Sequence, residues 1–139
     1  MYYKMIKRRI LSVIAALVFL IAISGCASAE AVDGKEDDYM KINAEKAKEL
    51  MEEMEEFVLL DVRSEEEYSE GHIPGAVVIP HSEIYDRAEA ELPEKDAPVF
   101  VYCRSGNRSK VASKALVDLG YSNVYEFGGI GDWPYEIER

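Results

Sequence analysis

The sequence contains few cysteines and few basic residues. Its 139 residues include only two cysteines, Cys26 and Cys103, so at most one disulfide can form. Lysine and arginine number 16 against 27 aspartates and glutamates, and the formal net charge is −11. A chain this acidic is not expected to bind nucleic acid, whose phosphates attract basic surfaces. No internal repeat is visible, and the length suits one folded domain rather than two.

Basic residues are concentrated at the N-terminus. Four of them, between positions 4 and 9, precede the apolar run Ile10–Ile23, and the first 26 residues contain no acid. A basic patch before an apolar run of this length is typical of a signal peptide, and the run is short for a membrane span. Residues 1–25 are therefore predicted to be a signal peptide. The chain that follows Cys26 has 12 basic and 27 acidic residues.

The end of the apolar run suggests lipid attachment. Ile-Ser-Gly-Cys at positions 23–26 resembles the lipobox of bacterial lipoproteins, in which the chain is cut before the cysteine and the thiol receives a lipid. The resemblance implies that a lipid on Cys26 anchors an exported protein to a membrane of the bacterial cell envelope. Two alternatives remain open: ordinary signal cleavage after Ala29, and an uncut run from Ile10 to Ala29 that spans the bilayer. All three place the following residues outside the cytoplasm.

The exported part is predicted to have two regions. Residues 26–38 are small and acidic, include Gly34 and have no apolar period, so they are expected to form a flexible tether that starts at the lipidated cysteine. Residues 39–139 are expected to form the domain. If Cys26 is lipidated or cleaved away, Cys103 has no partner within the chain. An unpaired thiol in an exported protein points to a reactive role.

Apolar strands alternate with amphipathic helices through the predicted domain. Strands are predicted at residues 39–42, 57–62, 77–79, 99–103 and 123–127. Helices are predicted after Asn43, after Ser64, after Ser82 and over residues 110–119. Ser64 and Glu67 have the spacing of a capping box. This alternation predicts an α/β fold with a mostly parallel sheet, in which ligands bind beyond the carboxyl ends of the strands. Asp61 and Cys103 both lie at such ends.

The segment that follows Cys103 has the features of an anion site. A loop between a strand and a helix directs backbone N–H groups and the positive end of the helix toward one point. The thiol at its start is expected to be stabilised as a thiolate, the reactive form of cysteine. The candidate anion-binding residues are Arg104, Ser105, Gly106, Asn107, Arg108 and Ser109. The two arginines add positive charge, and the small residues between them are expected to supply mainly backbone donors.

Three segments resemble the signatures of rhodanese domains. They are LDVR with EY and GHIPGA within residues 60–76, CRSGNRS at 103–109, and GGI with Trp133 at 128–133. The resemblance covers residues 39–139 and implies a rhodanese-like domain with a mostly parallel five-stranded sheet flanked by helices. It implies that Cys103 takes the outer sulfur of a small anionic donor such as thiosulfate as a persulfide, and passes it to a thiol or protein acceptor. It implies neither a metal nor an organic cofactor.

The chemistry of these residues agrees with that implication. Thiosulfate is a dianion, which the loop N–H groups with Arg104 and Arg108 are expected to hold, and the departing sulfite needs no general acid. Asp61 is expected to brace the loop as a hydrogen-bond acceptor, and Arg63 to form an ion pair with a nearby glutamate. The protein is expected to act as a monomer.

Two other functions remain open. A phosphatase or arsenate reductase also places a cysteine and an arginine around an anion. The Cys-x4-Arg spacing here is one residue shorter than in related phosphatases, which also need an acid for the leaving group. A tethered persulfide or redox relay for one partner protein would use Cys103 without turning over small substrates. Turnover of thiosulfate and of phosphate esters distinguishes these functions.

Overall fold

Five strands in parallel ladders and four α-helices alternate through residues 38–139, the part of the chain that the computed structural model describes. The strands are β1 (Met40–Lys41), β2 (Val58–Asp61), β3 (Val77–Val78), β4 (Val99–Cys103) and β5 (Val124–Gly129). The helices are α1 (Ala44–Glu53), α2 (Glu65–Glu70), α3 (Ile84–Glu91) and α4 (Asn107–Asp118), with 3₁₀ turns at His81–Glu83 and Ile130–Asp132. The predicted α/β class, with a five-stranded sheet flanked by helices, is confirmed.

The predicted signal peptide, Cys26 and nearly all of the tether lie outside the described residues. Within residues 38–139, no helix combines the length and the hydropathy that crossing a membrane requires. The membrane anchor therefore stays a prediction from the sequence.

The central strand of the sheet is β4. The strand order is β1-β5-β4-β2-β3, so β4 has a neighbour on each side, and all five of its residues are buried. Its unbroken apolar sequence is typical of a parallel strand that is covered on both faces. The β2–β4 ladder pairs Asp61 with Tyr102, the residue before Cys103. The two candidate residues at strand ends therefore lie at the same edge of the sheet.

The two faces of the sheet bury different side chains of β4. Val99, Val101 and Cys103 pack in a cluster with residues of α3 and α4. Phe100 and Tyr102 pack in a second cluster with residues of α1. Successive strand side chains point to opposite faces, so the odd-numbered residues face α4. Cys103 therefore projects toward the helix that directly follows it in the chain.

The helix that follows the cysteine begins earlier than predicted. Its first residue is Asn107, preceded by Gly106 in a left-handed conformation with φ +91°, whereas apolar periodicity placed the start at Lys110. The first turn, which contains Arg108 and Ser109, is polar and does not contribute to that periodicity. These two side chains are thus held by a helix, and the free loop is only three residues long.

Candidate active site

The Cys103 thiol lies at the bottom of the loop, with 1% of the residue exposed. Its Sγ accepts a hydrogen bond from the Gly106 N–H at 3.1 Å and lies 3.6 Å from Ser109 Oγ. Burial raises the pKa of the thiol, but hydrogen bonds from the Ser109 side chain and from the N–H groups of Ser109, Ser105 and Gly106 outweigh burial and hold the pKa below its ordinary value. The direction agrees with the prediction, and hydrogen bonds to the sulfur are its main cause, while the charge of Arg108 also interacts with Cys103.

Glycines of β5 support the cysteine loop from behind. A Cβ on Gly129 would lie 2.2 Å from the Arg104 carbonyl oxygen, so the loop packs directly on the backbone of this glycine. A Cβ on Gly106 would lie 3.4 Å from the Gly128 Cα, and the positive φ of Gly106 also favours glycine. These β5 glycines were not among the predicted site residues. Their position shows that they set the path of the loop.

Arg108 is bonded to a carboxylate that was not among the candidate site residues. Its Nη1 and Nη2 donate to Glu67 Oε2 and Oε1 at 2.6 and 2.9 Å, a bidentate pair between α4 and α2. Hydrogen bonds from the guanidinium lower the pKa of Glu67 to about 2. Part of the positive charge of Arg108 is therefore compensated within the protein. The capping-box pattern located Glu67 correctly but gave no sign of this second contact.

The other loop candidates have different exposures. Arg104, Ser105 and Asn107 are exposed, and Ser109 is fully buried. Ser109 Oγ donates to Glu126 Oε1 at 2.6 Å, so its hydroxyl faces a carboxylate behind the loop. Glu126 was not among the predicted site residues. The only sign was a charged residue within the apolar run that became β5.

Asp61 and Arg63 form a buried ion pair beside the loop. Arg63 Nη2 donates to Asp61 Oδ2 at 2.6 Å and to the Gly71 carbonyl at 2.7 Å, and the Arg63 N–H donates to Asp61 Oδ1 at 2.9 Å. Asp61 is an acceptor as predicted, but its hydrogen bonds brace the turn after β2 rather than the cysteine loop. The predicted glutamate partner of Arg63 was wrong. Only Val62 separates Arg63 from the end of β2, and the arginine side chain folds back on Asp61 instead.

Open space borders the loop on one side, and a second cleft lies beside the two ion pairs. One cleft of about 390 Å³ is lined by Ser105 and Gly106, together with Glu126. Another of about 320 Å³ is lined by Arg63 and Glu67. Among residues 38–139, no three side chains of the histidine, cysteine, aspartate or glutamate type are grouped to hold a metal ion. The arrangement is suited to a small anion held by N–H groups next to a thiolate.

Comparison with known proteins agrees with this architecture. Residues 43–135 match the model of the rhodanese-like domain. The chain is 37% identical over 105 residues to thiosulfate sulfurtransferase GlpE of Pseudomonas fluorescens, which covers 72% of this chain and 93% of that protein. It is 38% identical over 90 residues to adenylyltransferase and sulfurtransferase UBA4 of Meyerozyma guilliermondii, covering 59% of this chain and 21% of that protein. The chain thus spans only about a fifth of the length of this second relative.

A solved structure extends the comparison to the fold. The structure described as rhodanese with anions from E. coli is 33% identical, covers 60% of this chain and 99% of that chain, and gives a TM-score of 0.57. The family match runs from the cap of α1 past Trp133, so it includes the whole cysteine loop and four of the five strands. This chain therefore belongs to the rhodanese-like domain family.

Proposed function

We propose that the protein is a sulfurtransferase that carries sulfane sulfur as a persulfide on Cys103. The observation that carries the proposal is the position of Sγ, which accepts the Gly106 N–H at 3.1 Å at the start of α4. A sulfur atom held by N–H donors is stabilised as an anion, both as thiolate and as persulfide. The sulfurtransferases among the relatives support the reaction class.

In the first step, the thiolate attacks the outer sulfur of a small anionic donor such as thiosulfate. A bond forms between Sγ and that sulfur, the original sulfur–sulfur bond breaks, and its electron pair leaves with sulfite. The N–H groups of Ser105 and Gly106 hold the negative charge throughout. Sulfite is a stable anion, so the step needs no proton donor.

In the second step, a thiol or protein acceptor attacks the terminal sulfur. The acceptor gains the sulfur and Sγ leaves as a thiolate, again stabilised by the loop N–H groups. The proposed cycle uses no metal and no organic cofactor. The acidic surface of the domain excludes nucleic acid from the proposed partners, and the protein is proposed to work as a monomer.

The test is intact-mass spectrometry of the purified, freshly reduced protein. Incubation with thiosulfate should raise the mass by one sulfur atom, and cyanide should return it to the starting value. Cys103→Ala should gain no sulfur while keeping the circular dichroism spectrum of the folded domain. Absence of the adduct in the native protein would exclude the sulfurtransferase function.

The proposed location is the bacterial cell envelope. A lipid on Cys26 would hold the protein to the membrane, and residues 26–38 would separate the domain from the surface. The support is the order of the N-terminal segments: basic patch, apolar run, then Ile-Ser-Gly-Cys. In this location the acceptor would be an exported thiol or protein.

A further inference from the structure

Glu126 is a buried carboxylate that the proposed sulfur-transfer steps do not use. It lies within β5 and is 4% exposed. Its Oε1 accepts the Ser109 hydroxyl at 2.6 Å and the Gly128 N–H at 2.9 Å. A carboxylate in such a place costs free energy that a packed apolar side chain would not. One of its hydrogen-bond partners, Ser109, also contacts the cysteine.

The Ser109 hydroxyl connects this carboxylate to the thiol. Its Oγ lies 2.6 Å from Glu126 Oε1 and 3.6 Å from Cys103 Sγ. A serine hydroxyl has one proton, so it can donate to the carboxylate or to the sulfur but not to both. With a neutral thiol, each group donates to the next: S–H to Oγ, and O–H to Oε1. When the sulfur is an anion, the Ser109 hydroxyl donates its proton to the sulfur. Glu126 Oε1 then faces a lone pair of Ser109 Oγ, which is repulsive unless Glu126 itself carries a proton to donate.

We propose that Glu126 and Cys103 share one proton through the Ser109 hydroxyl. As the S–H bond of Cys103 breaks, Ser109 gains a new O–H bond, its original O–H bond breaks, and an O–H bond forms on Glu126. The total charge of the buried site does not change, and no other reactant is needed. Glu126 is a positioning residue for the proton, because it acts through Ser109. The inference rests on the proposed function only in that the sulfur becomes anionic during turnover.

The charged groups around Glu126 come from four elements. Lys110 of α4, Glu45 of α1 and Asp132 of the second 3₁₀ turn line the same cleft, and Lys41 of β1 is the register partner of Glu126 in the β1–β5 ladder. Their formal charges, two positive and two negative, cancel.

The charged groups on the sulfur side are largely paired with each other. Arg108 is bonded to Glu67, and Arg63 is bonded to Asp61. Each of these two arginines thus has a carboxylate partner besides the sulfur. Two interacting acids that share a proton titrate as a pair, with two macroscopic pKa values that belong to both groups.

The experiment is the pH dependence of Cys103 alkylation by iodoacetamide in the full chain. Mass spectrometry of the tryptic peptide that contains Cys103 gives the rate. In the native protein, the shared proton supplies a pH-independent fraction of thiolate between the two titration steps, so the rate should show a plateau. Glu126→Gln keeps the acceptor for Ser109 and Gly128 but cannot take the proton. Its rate should follow one step and fall about tenfold per pH unit below the midpoint.

The two profiles should therefore cross. The native protein should react faster than Glu126→Gln at acidic pH, where only the shared proton gives thiolate, and more slowly at alkaline pH, where a second negative charge is disfavoured. A single step in the native protein, displaced as a whole from that of the variant, would mean that Glu126 is only a fixed charge. That result would overturn the proposal.

Two further variants separate the proton link from other effects. Ser109→Ala keeps both acids but removes the hydroxyl that stabilises the thiolate form of the pair, so the rate at the plateau should fall at least tenfold; this variant also serves as the test if Glu126→Gln does not fold. Glu45→Gln removes an exposed carboxylate from the same cleft, so the plateau should keep its height. A plateau of unchanged height in Ser109→Ala would also contradict the proposal.

Alkylation does not require sulfur transfer, so the two proposals fail separately. A plateau in a protein that forms no persulfide would leave the shared proton standing and remove the proposed function. Persulfide formation in a protein with a single-step alkylation profile would support the proposed function and rule out the shared proton.

Discussion

An ion pair joins the helix that follows the cysteine loop to α2. The bidentate contact of Arg108 with Glu67 connects α4 to α2, and about 29% and 27% of the two side chains are exposed. Glu67 Oε2 also accepts the Ser64 N–H at 3.3 Å, so one carboxylate both caps a helix and positions an arginine. The orientation of Arg108 at the site therefore depends on α2.

Glu67→Gln should make the free energy of unfolding depend less on pH in the acidic range. The folded pKa of Glu67 is about 2 against an ordinary 4.5, so the unfolded chain binds more protons between these pH values and stability rises with pH there. The contribution is complete above pH 4.5 and is lost as the pH falls toward 2. The variant should lose about 1 kcal/mol at neutral pH and less near pH 3. Urea unfolding at both pH values measures this.

Glu66→Gln is the matched control for that experiment. Glu66 neighbours Glu67 on α2 and is exposed. Its substitution should change stability little at either pH. Equal losses at pH 7 and pH 3 in Glu67→Gln would contradict the assignment.

Gly129→Ala should damage the site more than the fold. Its Cβ would lie 2.2 Å from the Arg104 carbonyl, so the loop must move, at a cost of about 1–3 kcal/mol. Displaced N–H donors should raise the pKa of Cys103 and lower sulfur transfer by about tenfold or more. Gly131→Ala places its Cβ 3.7 Å from the same oxygen and should keep near-native turnover. Equal activity of the two variants would show that Gly129 does not set the loop.

The location of a residue in the fold could be predicted where it depends only on the position of that residue at the end of a strand. Asp61 and Cys103 were located because parallel strands bring their carboxyl ends to one edge. The partner of Arg63 and the contact between Ser109 and Glu126 were not predictable in this way. These contacts depend on side-chain direction and on which segments of distant sequence meet, and neither follows from local pattern.

At the scale of elements, two of the three predicted helix caps are present. Asn43 Oδ1 accepts the Lys46 N–H, and Ser64 forms its capping box with Glu67. Ser82 caps nothing: it lies inside the 3₁₀ turn, and α3 follows without a side-chain cap. The 3₁₀ turn that contains Ser82 continues directly into α3. Ser82 therefore does not stand at the start of the helix, where its hydroxyl could accept hydrogen bonds from free backbone N–H groups.

The short loop before α4 is expected to select the anion. Only Arg104, Ser105 and Gly106 separate β4 from the helix, so the ring of N–H donors is small. We expect it to accommodate the outer sulfur of thiosulfate but not a phosphorus with three oxygens. Inserting one glycine between Ser105 and Gly106 should therefore weaken sulfur transfer at least tenfold, since donors must lie about 2.7–3.1 Å from the developing charge.

Two assays check this size argument. Thiosulfate:cyanide turnover and p-nitrophenyl phosphate hydrolysis are measured for the native and lengthened loops. The lengthened loop should bind phosphate analogues better without hydrolysing esters, because the site has no identified acid for the leaving group. Faster ester hydrolysis than sulfur transfer by the native protein would show that loop size does not decide the reaction.

At the scale of the whole molecule, the N-terminal segments are expected to decide where the sulfur chemistry takes place. In bacteria that process lipoproteins, the mature protein should partition with membranes and incorporate a labelled fatty acid. Cys26→Ser should abolish the labelling and leave thiosulfate turnover of the domain unchanged. A mature N-terminus at Glu30 would instead indicate secretion without a lipid, and an intact N-terminus would indicate an uncut anchor.

The depth of the thiol has a consequence for its oxidation. With 1% of Cys103 exposed, the thiol presents almost no surface to reagents in solution. A bound sulfur atom would add about 2 Å, the length of one S–S bond. We therefore expect small reagents to reach the thiol, and large acceptors to meet only the outer sulfur of the persulfide. Hydrogen peroxide should therefore inactivate the resting protein much faster than glutathione disulfide does.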